Sequence, residues 1–90
     1  AGRWLAARDA AAVGADNMAV EVETGTNLYE GGEPTPEVHK LLLRDCGIYL
    51  LELLDLEALA ADGASEFLFA AAPLRITGGV GSPINPLAIC

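Results

Sequence analysis

The chain of 90 residues is acidic, with 13 aspartates and glutamates against 5 lysines and arginines, a net charge of −8 and a hydrophobic content of 52%. That hydrophobic content excludes a disordered chain, and the acidic balance argues against nucleic-acid binding, which normally needs a basic face. The length allows one small domain with a limited interior, so we expect another polypeptide to cover part of the apolar surface.

Targeting signals and membrane contacts are not expected from the sequence. No apolar run approaches the ~18–20 residues of a membrane helix. Residue 1 is alanine, and no charged region followed by an apolar segment comes after it, as a secretory signal would require. We therefore expect a cytoplasmic protein. Cys46 and Cys90 do not form a CxxC pair and are expected to be inert thiols.

The first third of the chain predicts a helix, two strands and a loop. Residues 3–12 are rich in alanine and predict a short amphipathic helix. Residues 13–16 predict a strand, and residues 18–22 predict a second extended stretch whose glutamates, including Glu21, point outward. Residues 24–35 are rich in glycine and small polar groups and predict a long loop, interpreted equally well as a lid over a site or as a disordered surface segment.

The most suggestive stretch is residues 34–52, which contains the single histidine. Prolines suit the first turn of a helix and glycine suits its end, so we expect a helix over residues 36–46 that ends at Gly47. At about 100° per residue, His39 falls within the apolar arc of this helix and should face the protein. The other members of the arc are Val38, Leu42, Leu43 and Cys46.

A carboxylate follows the next predicted strand. Residues 48–51 form a continuous apolar run, which is typical of a strand covered on both faces. Glu52 comes at its carboxyl end, where α/β folds gather their ligands. Because burying an unpaired carboxylate costs several kcal/mol, a buried Glu52 would need a metal, a cation or a proton. An ordinary solvated glutamate is the equally weighted alternative.

The remainder of the chain predicts one helix and two strands. Residues 55–63 predict a helix that ends at Gly63. The apolar run within residues 67–76 predicts a buried strand interrupted at Pro73, and residues 86–90 predict a last strand. The alternation of strands and helices predicts an α/β fold.

Five pairs of segments in this order carry a resemblance to a known family. They are residues 12–16 with 20–21, 38–39 with 41–43, 47–52 with 54–56, 67–69 with 72–74, and 79–83 with 86–89. Their order resembles the metal-dependent cyclases and kynurenine-formamidase-like amidohydrolases, a group that also contains isatin hydrolases. The resemblance covers nearly all of the chain.

The resemblance implies a mixed-sheet, swivelling β/α domain of the cyclase type, of which residues 1–90 are only the C-terminal part. The family's main metal motif, HxGTHxDxPxH, belongs to the N-terminal part and is absent here. By the same resemblance, Glu52 matches a ligand of a zinc or manganese ion, and His39 matches a catalytic histidine that acts as general base and acid. Leu53 stands where relatives commonly have asparagine, which predicts altered hydrogen bonding near Glu52.

Three hypotheses follow for the function. In the first, the chain is the C-terminal portion of a metal-dependent hydrolase that uses a metal-activated water on a formamide, a cyclic amide or a related C–N or C–O bond. A catalytic zinc needs about three protein ligands, so the N-terminal half or a companion chain must complete the site and the chain alone is expected to be inactive. Its substrate would be a small amide or lactam, and homo-oligomers are expected.

In the second hypothesis the chain is a non-catalytic remnant, or an interaction module that assembles through its apolar sheet face. The third hypothesis, a free-standing domain that binds a small molecule, has less support because no segment of the sequence identifies a pocket.

Overall fold

The helices and strands are all short in the computed structural model, which describes residues 1–21 and 37–90. In chain order the elements are helix α1 (Gly2–Ala6), strand β1 (Ala12–Gly14), a π-helix (His39–Asp45), strand β2 (Tyr49–Leu51), helix α2 (Glu57–Ala61), strand β3 (Leu68–Ala70) and strand β4 (Leu87–Ile89). The described residues form two compact units, Ala1–Leu56 and Glu57–Cys90. The predicted α/β class is therefore confirmed, while the specific swivelling domain, and the assignment of all 90 residues to one cyclase-like domain, stay predictions.

The first unit is built on a parallel pair of strands. β1 and β2 pair with Ala12 opposite Tyr49 and Gly14 opposite Leu51. Helix α1 and strand β2 each pack against the π-helix. Because the two strands are parallel, their carboxyl ends lie at the same edge of the sheet.

The core of this unit is very small. Leu42 on the π-helix and Ile48, just before β2, are the fully buried apolar residues in the part of the chain that the structure describes, with exposures of 0% and 3%. The backbone N–H of Ile48 donates to the carbonyl of Leu42 at 2.8 Å, which ties the two together. Leu42 and Ile48 therefore link the π-helix to the segment that leads into β2.

The helix predicted over residues 36–46 is present over residues 37–45 of the described chain, but from His39 onward it is wound as a π-helix. The N–H of Cys46 donates to the carbonyl of Leu41 at 3.0 Å, five residues back, which is the hydrogen bond of a π-helix. Its wider turn moves residues near the end of the helix off the apolar arc that a period of 3.6 predicts. Leu43 and Cys46 were expected in that arc and are exposed instead. The end at Gly47 is confirmed, with φ at +67°.

Two predictions about extended segments are wrong: the strand at residues 18–21 is absent, and β2 is not covered on both faces. Residues 18–21 are bends and turns rather than a strand, because Ala19 and Val20 have positive φ angles of 72° and 56°. Tyr49 is 69% exposed, so β2 is not covered on both of its faces. The predicted loop over residues 24–35 lies outside the described residues, as do residues 22 and 23.

The second unit is a helix and an antiparallel ribbon. β3 and β4 pair with Leu68 opposite Ile89 and Ala70 opposite Leu87. The strand predicted within residues 67–76 is confirmed in part, but its predicted burial is wrong, since none of residues 57–90 is fully buried. Two strands of three residues each are too short to enclose a core. Helix α2 is followed by Gly63 at a φ of +63°, as the sequence predicted.

Neither unit contains a membrane-spanning helix: within residues 1–21 and 37–90, none is long and apolar enough to cross a bilayer.

Candidate functional site

His39 lies between two glutamates. Its Nδ1 atom is 3.0 Å from Oε2 of Glu21, and its Nε2 atom is 3.3 Å from Oε1 of Glu52. The three side chains come from the turn after β1, the first residue of the π-helix and the residue that follows β2. Residues distant in the sequence are thus brought to one edge of the parallel sheet.

The strand pairing continues beyond the strands and holds this edge together. The N–H of Ala15 donates to the carbonyl of Leu51 at 3.0 Å, and the N–H of Leu54 donates back to the carbonyl of Ala15 at 3.0 Å. The N–H of Leu53 donates to the carbonyl of Asn17 at 3.1 Å. The segment after β1 is therefore fixed to the segment that carries Glu52.

Glu21 is the most firmly held member of the cluster. Its Oε1 atom accepts a hydrogen bond from the backbone N–H of Val38, while its Oε2 atom faces the ring of His39. The side-chain amide of Asn17 donates to the backbone carbonyl of Glu21 at 3.2 Å. The Glu21 side chain is 16% exposed, against 31% for His39 and 37% for Glu52. The cluster thus opens to solvent on the side of Glu52.

Unusual backbone conformations surround this cluster. Ala19, Val20 and Leu53 all have positive φ angles. For a β-branched residue such as Val20 this is a genuine outlier, and each such residue costs on the order of 1–3 kcal/mol. Strained residues and π-helices are both frequent at functional sites, so their coincidence here supports a site at this edge.

The 3.3 Å between Nε2 of His39 and Oε1 of Glu52 is the distance of an ion pair. Glu21 faces the other ring nitrogen, Nδ1. Within residues 1–21 and 37–90, no group of three or more His, Cys, Asp or Glu side chains could hold a metal. A metal ion at Glu52 would therefore need ligands from beyond the described residues.

A separate ion pair lies at the far end of the π-helix. Nε of Arg44 is 2.6 Å from Oδ1 of Asp45, and both side chains are exposed. The hydrogen bond to Asp45 raises the pKa of Arg44, and the hydrogen bond from Arg44 lowers the pKa of Asp45. Since the pair is solvated and lies at the opposite end of the helix from His39, it is not part of the candidate site.

The sequence singled out two members of the cluster and missed the others. His39 and Glu52 were both predicted as site residues, and the structure brings them together. Glu21 was expected to point outward from a strand, and no sequence signal singled out Asn17. The rule that ligands gather at the carboxyl ends of parallel strands, applied to β1 as it was to β2, would have drawn attention to both.

Comparison with known proteins gives one informative match. Isatin hydrolase from Roseibium aggregatum is 43% identical over 67 residues, which cover 72% of this chain and 24% of that protein. This chain thus spans about a quarter of the length of that relative. A continuous segment covering 72% of 90 residues must include positions 26–65, so His39 and Glu52 lie within the match. No family model matches the chain, and no solved structure matches it significantly. The similarity suggests a related hydrolase.

Proposed function

We propose that the chain is the C-terminal portion of a metal-dependent hydrolase that opens the amide bond of a small cyclic amide, within the cyclase and kynurenine-formamidase-like family. The observation that carries the proposal is the position of His39, whose Nε2 atom lies 3.3 Å from Oε1 of Glu52 at the carboxyl edge of the parallel strands. Further support comes from the similarity to isatin hydrolase, because isatin contains a cyclic amide. Nothing in the comparisons favours the alternative of a non-catalytic interaction module.

Glu52 and His39 have different roles in this proposal. Glu52 is a charged oxygen ligand for zinc or manganese, and its partial exposure leaves one side open to an ion and a substrate. When bound, the metal would activate a water and polarise the amide carbonyl. His39 accepts a proton at Nε2 and returns it to the departing amide nitrogen, which is general base and acid catalysis worth typically 10²–10⁴-fold in rate.

The proposal requires further ligands from a polypeptide beyond residues 1–90. In the family they come from the HxGTHxDxPxH motif, supplied here by an N-terminal part of the same enzyme or by a companion chain. Large apolar side chains are exposed in both units of the described structure, and a covering polypeptide would bury them: Trp4, Tyr49, Leu68, Leu74 and Leu87 are each more than half exposed. A homo-oligomer in the cytoplasm is the assembly and the location that we propose.

Metal analysis of a reconstituted complex tests this proposal. Residues 1–90 would be co-expressed with the part of the Roseibium aggregatum isatin hydrolase that lies outside the matched segment, and zinc and manganese would be measured after purification. We expect about one ion per complex and none on residues 1–90 alone. The Glu52→Gln complex should lose the ion, whereas the Glu37→Gln complex should keep it, since Glu37 is exposed. Equal metal content in the Glu52→Gln and unmodified complexes would refute the ligand role.

A further inference from the structure

We infer that Glu21 is a positioning residue for His39 and fixes the tautomer of its ring. In this arrangement the neutral imidazole carries its proton on Nδ1, and Nε2 presents a free lone pair on the side of Glu52. The role of this tautomer in catalysis rests on the proposed function, but the tautomer itself can be measured without metal or substrate.

The two oxygens of Glu21 already determine which ring nitrogen carries the proton. The N–H of Val38 can only donate, so Oε1 of Glu21 is engaged as an acceptor. Oε2 is 3.0 Å from Nδ1 of His39, and an ionised carboxylate can only accept. A favourable contact at this distance therefore requires hydrogen on Nδ1.

Glu52 competes for the same proton, and the geometry favours Glu21. The Nδ1 contact is 3.0 Å and the Nε2 contact is 3.3 Å, so the hydrogen bond to Glu21 is the shorter one. Glu21 is also less exposed, at 16% against 37%, and electrostatic attraction is stronger where water is excluded. Finally, Glu21 is held at its carboxylate by Val38 and at its backbone by Asn17, so it loses little freedom by binding the ring.

A fixed tautomer supplies what the proposed reaction needs from His39. With the proton held on Nδ1, Nε2 is an acceptor and faces the open side of the cluster. A carboxylate behind a histidine is a common device for orienting the ring and strengthening the basicity of its other nitrogen. Without Glu21 the proton would be drawn to Nε2 by Glu52, and the reacting nitrogen would be blocked.

The chain is well suited to a direct test by NMR, because His39 is its single histidine. The chain would be labelled with ¹⁵N-histidine, and two-bond ¹H–¹⁵N spectra would be recorded in the presence of a chelator. The pH would be 9, where neutral imidazole is the usual form of histidine. The chelator matters because a metal on Nε2 would also enforce a proton on Nδ1. We expect the unmodified chain to show the Nδ1–H tautomer.

Glu21→Gln should invert this pattern without changing the size of the side chain. Glutamine has one acceptor oxygen, which the N–H of Val38 requires, and its amide group would then donate to Nδ1. The ring would have to accept at Nδ1 and carry its proton on Nε2. Glu37→Gln and Glu52→Gln should both retain the Nδ1–H tautomer.

Two results would overturn the inference: a proton on Nε2 in the unmodified chain, or a Glu21→Gln spectrum that still shows Nδ1–H. If Glu21→Gln fails to fold, as judged by the dispersion of its backbone amide signals, the spectra of the unmodified chain and of Glu52→Gln still decide the matter. The outcome is independent of the hydrolase proposal. A reconstituted complex that binds no metal would refute that proposal and leave the tautomer result standing.

Discussion

Nε2 of His39 and Oε1 of Glu52 lie 3.3 Å apart at the edge where both parallel strands end. His39 is the first residue of the π-helix, and Glu52 directly follows strand β2, so the ends of two elements place these residues at the edge. Backbone hydrogen bonds beyond the ends of β1 and β2 join the two segments that follow these strands. The proposed chemistry depends on this relationship.

Asn17 should stabilise the site through two hydrogen bonds from different parts of one residue. Its side chain donates to Glu21, and its carbonyl accepts from Leu53. Asn17→Ala removes the first bond, so we expect a loss of about 1 kcal/mol in the free energy of unfolding by urea. Asn85→Ala is the matched control, because Asn85 is exposed, and its midpoint should not move. Equal midpoints for the two variants would contradict the structural role of Asn17.

Leu53 is poorly suited to its backbone conformation. Its φ is +54° and its side chain is 69% exposed, so it gains little from packing while adopting a left-handed conformation. Asparagine tolerates this conformation much better. Leu53→Asn should therefore raise stability by up to about 1 kcal/mol, measured as a higher midpoint of thermal unfolding. Leu74→Asn, at a similarly exposed position, should give no such increase.

Leu42 and Leu43 provide a test of the π-helix, because they are adjacent and differ in burial. Leu42 is fully buried, whereas Leu43 is 40% exposed. Leu42→Ala should destabilise the chain by about 2–5 kcal/mol, the usual cost of truncating a buried leucine, and Leu43→Ala should cost much less. Comparable losses in urea unfolding would indicate that both residues face the core, as a regular α-helix predicts.

The carboxyl group of Asp45 should titrate below its ordinary range, because the hydrogen bond from Arg44 lowers its pKa. Arg44→Gln should return that pKa toward the ordinary value in a ¹³C NMR titration. A lowered folded-state pKa contributes stability at pH values above the ordinary range of aspartate, and that contribution is lost as the pH falls through the folded pKa. Since the pair is exposed, the effect on unfolding should be small. An unchanged titration of Asp45 in Arg44→Gln would contradict the pairing.

The sequence predicted those features that depend on local chemistry. Gly47 ends its helix because glycine accepts a positive φ, and the apolar run after it forms a strand with Glu52 at its end. These signals lie within a few residues of the structure they specify. The same is true of Gly63 and of the last strand, Leu87–Ile89.

The features that the sequence did not predict depend on contacts between distant segments. Nothing near Val20 in the sequence indicates that this β-branched residue adopts a left-handed conformation, or that the next residue, Glu21, contacts His39. The sequence did not predict the π-helix, because its apolar residues also fit the period of 3.6 of a regular α-helix. Burial in the second unit was overestimated because an apolar strand is buried only where another layer covers it.

The proposal that His39 and Glu52 take part in metal-dependent hydrolysis is tested most directly by a chimera. The matched segment of the Roseibium aggregatum isatin hydrolase would be replaced by the matching segment of this chain, and isatin hydrolysis would be measured with zinc or manganese. We predict that the chimera hydrolyses isatin, that His39→Ala and Glu52→Gln each lower kcat by about a hundredfold or more, and that Glu37→Gln has no effect. Hydrolysis by the His39→Ala and Glu52→Gln chimeras at the rate of the unmodified chimera would contradict the claim.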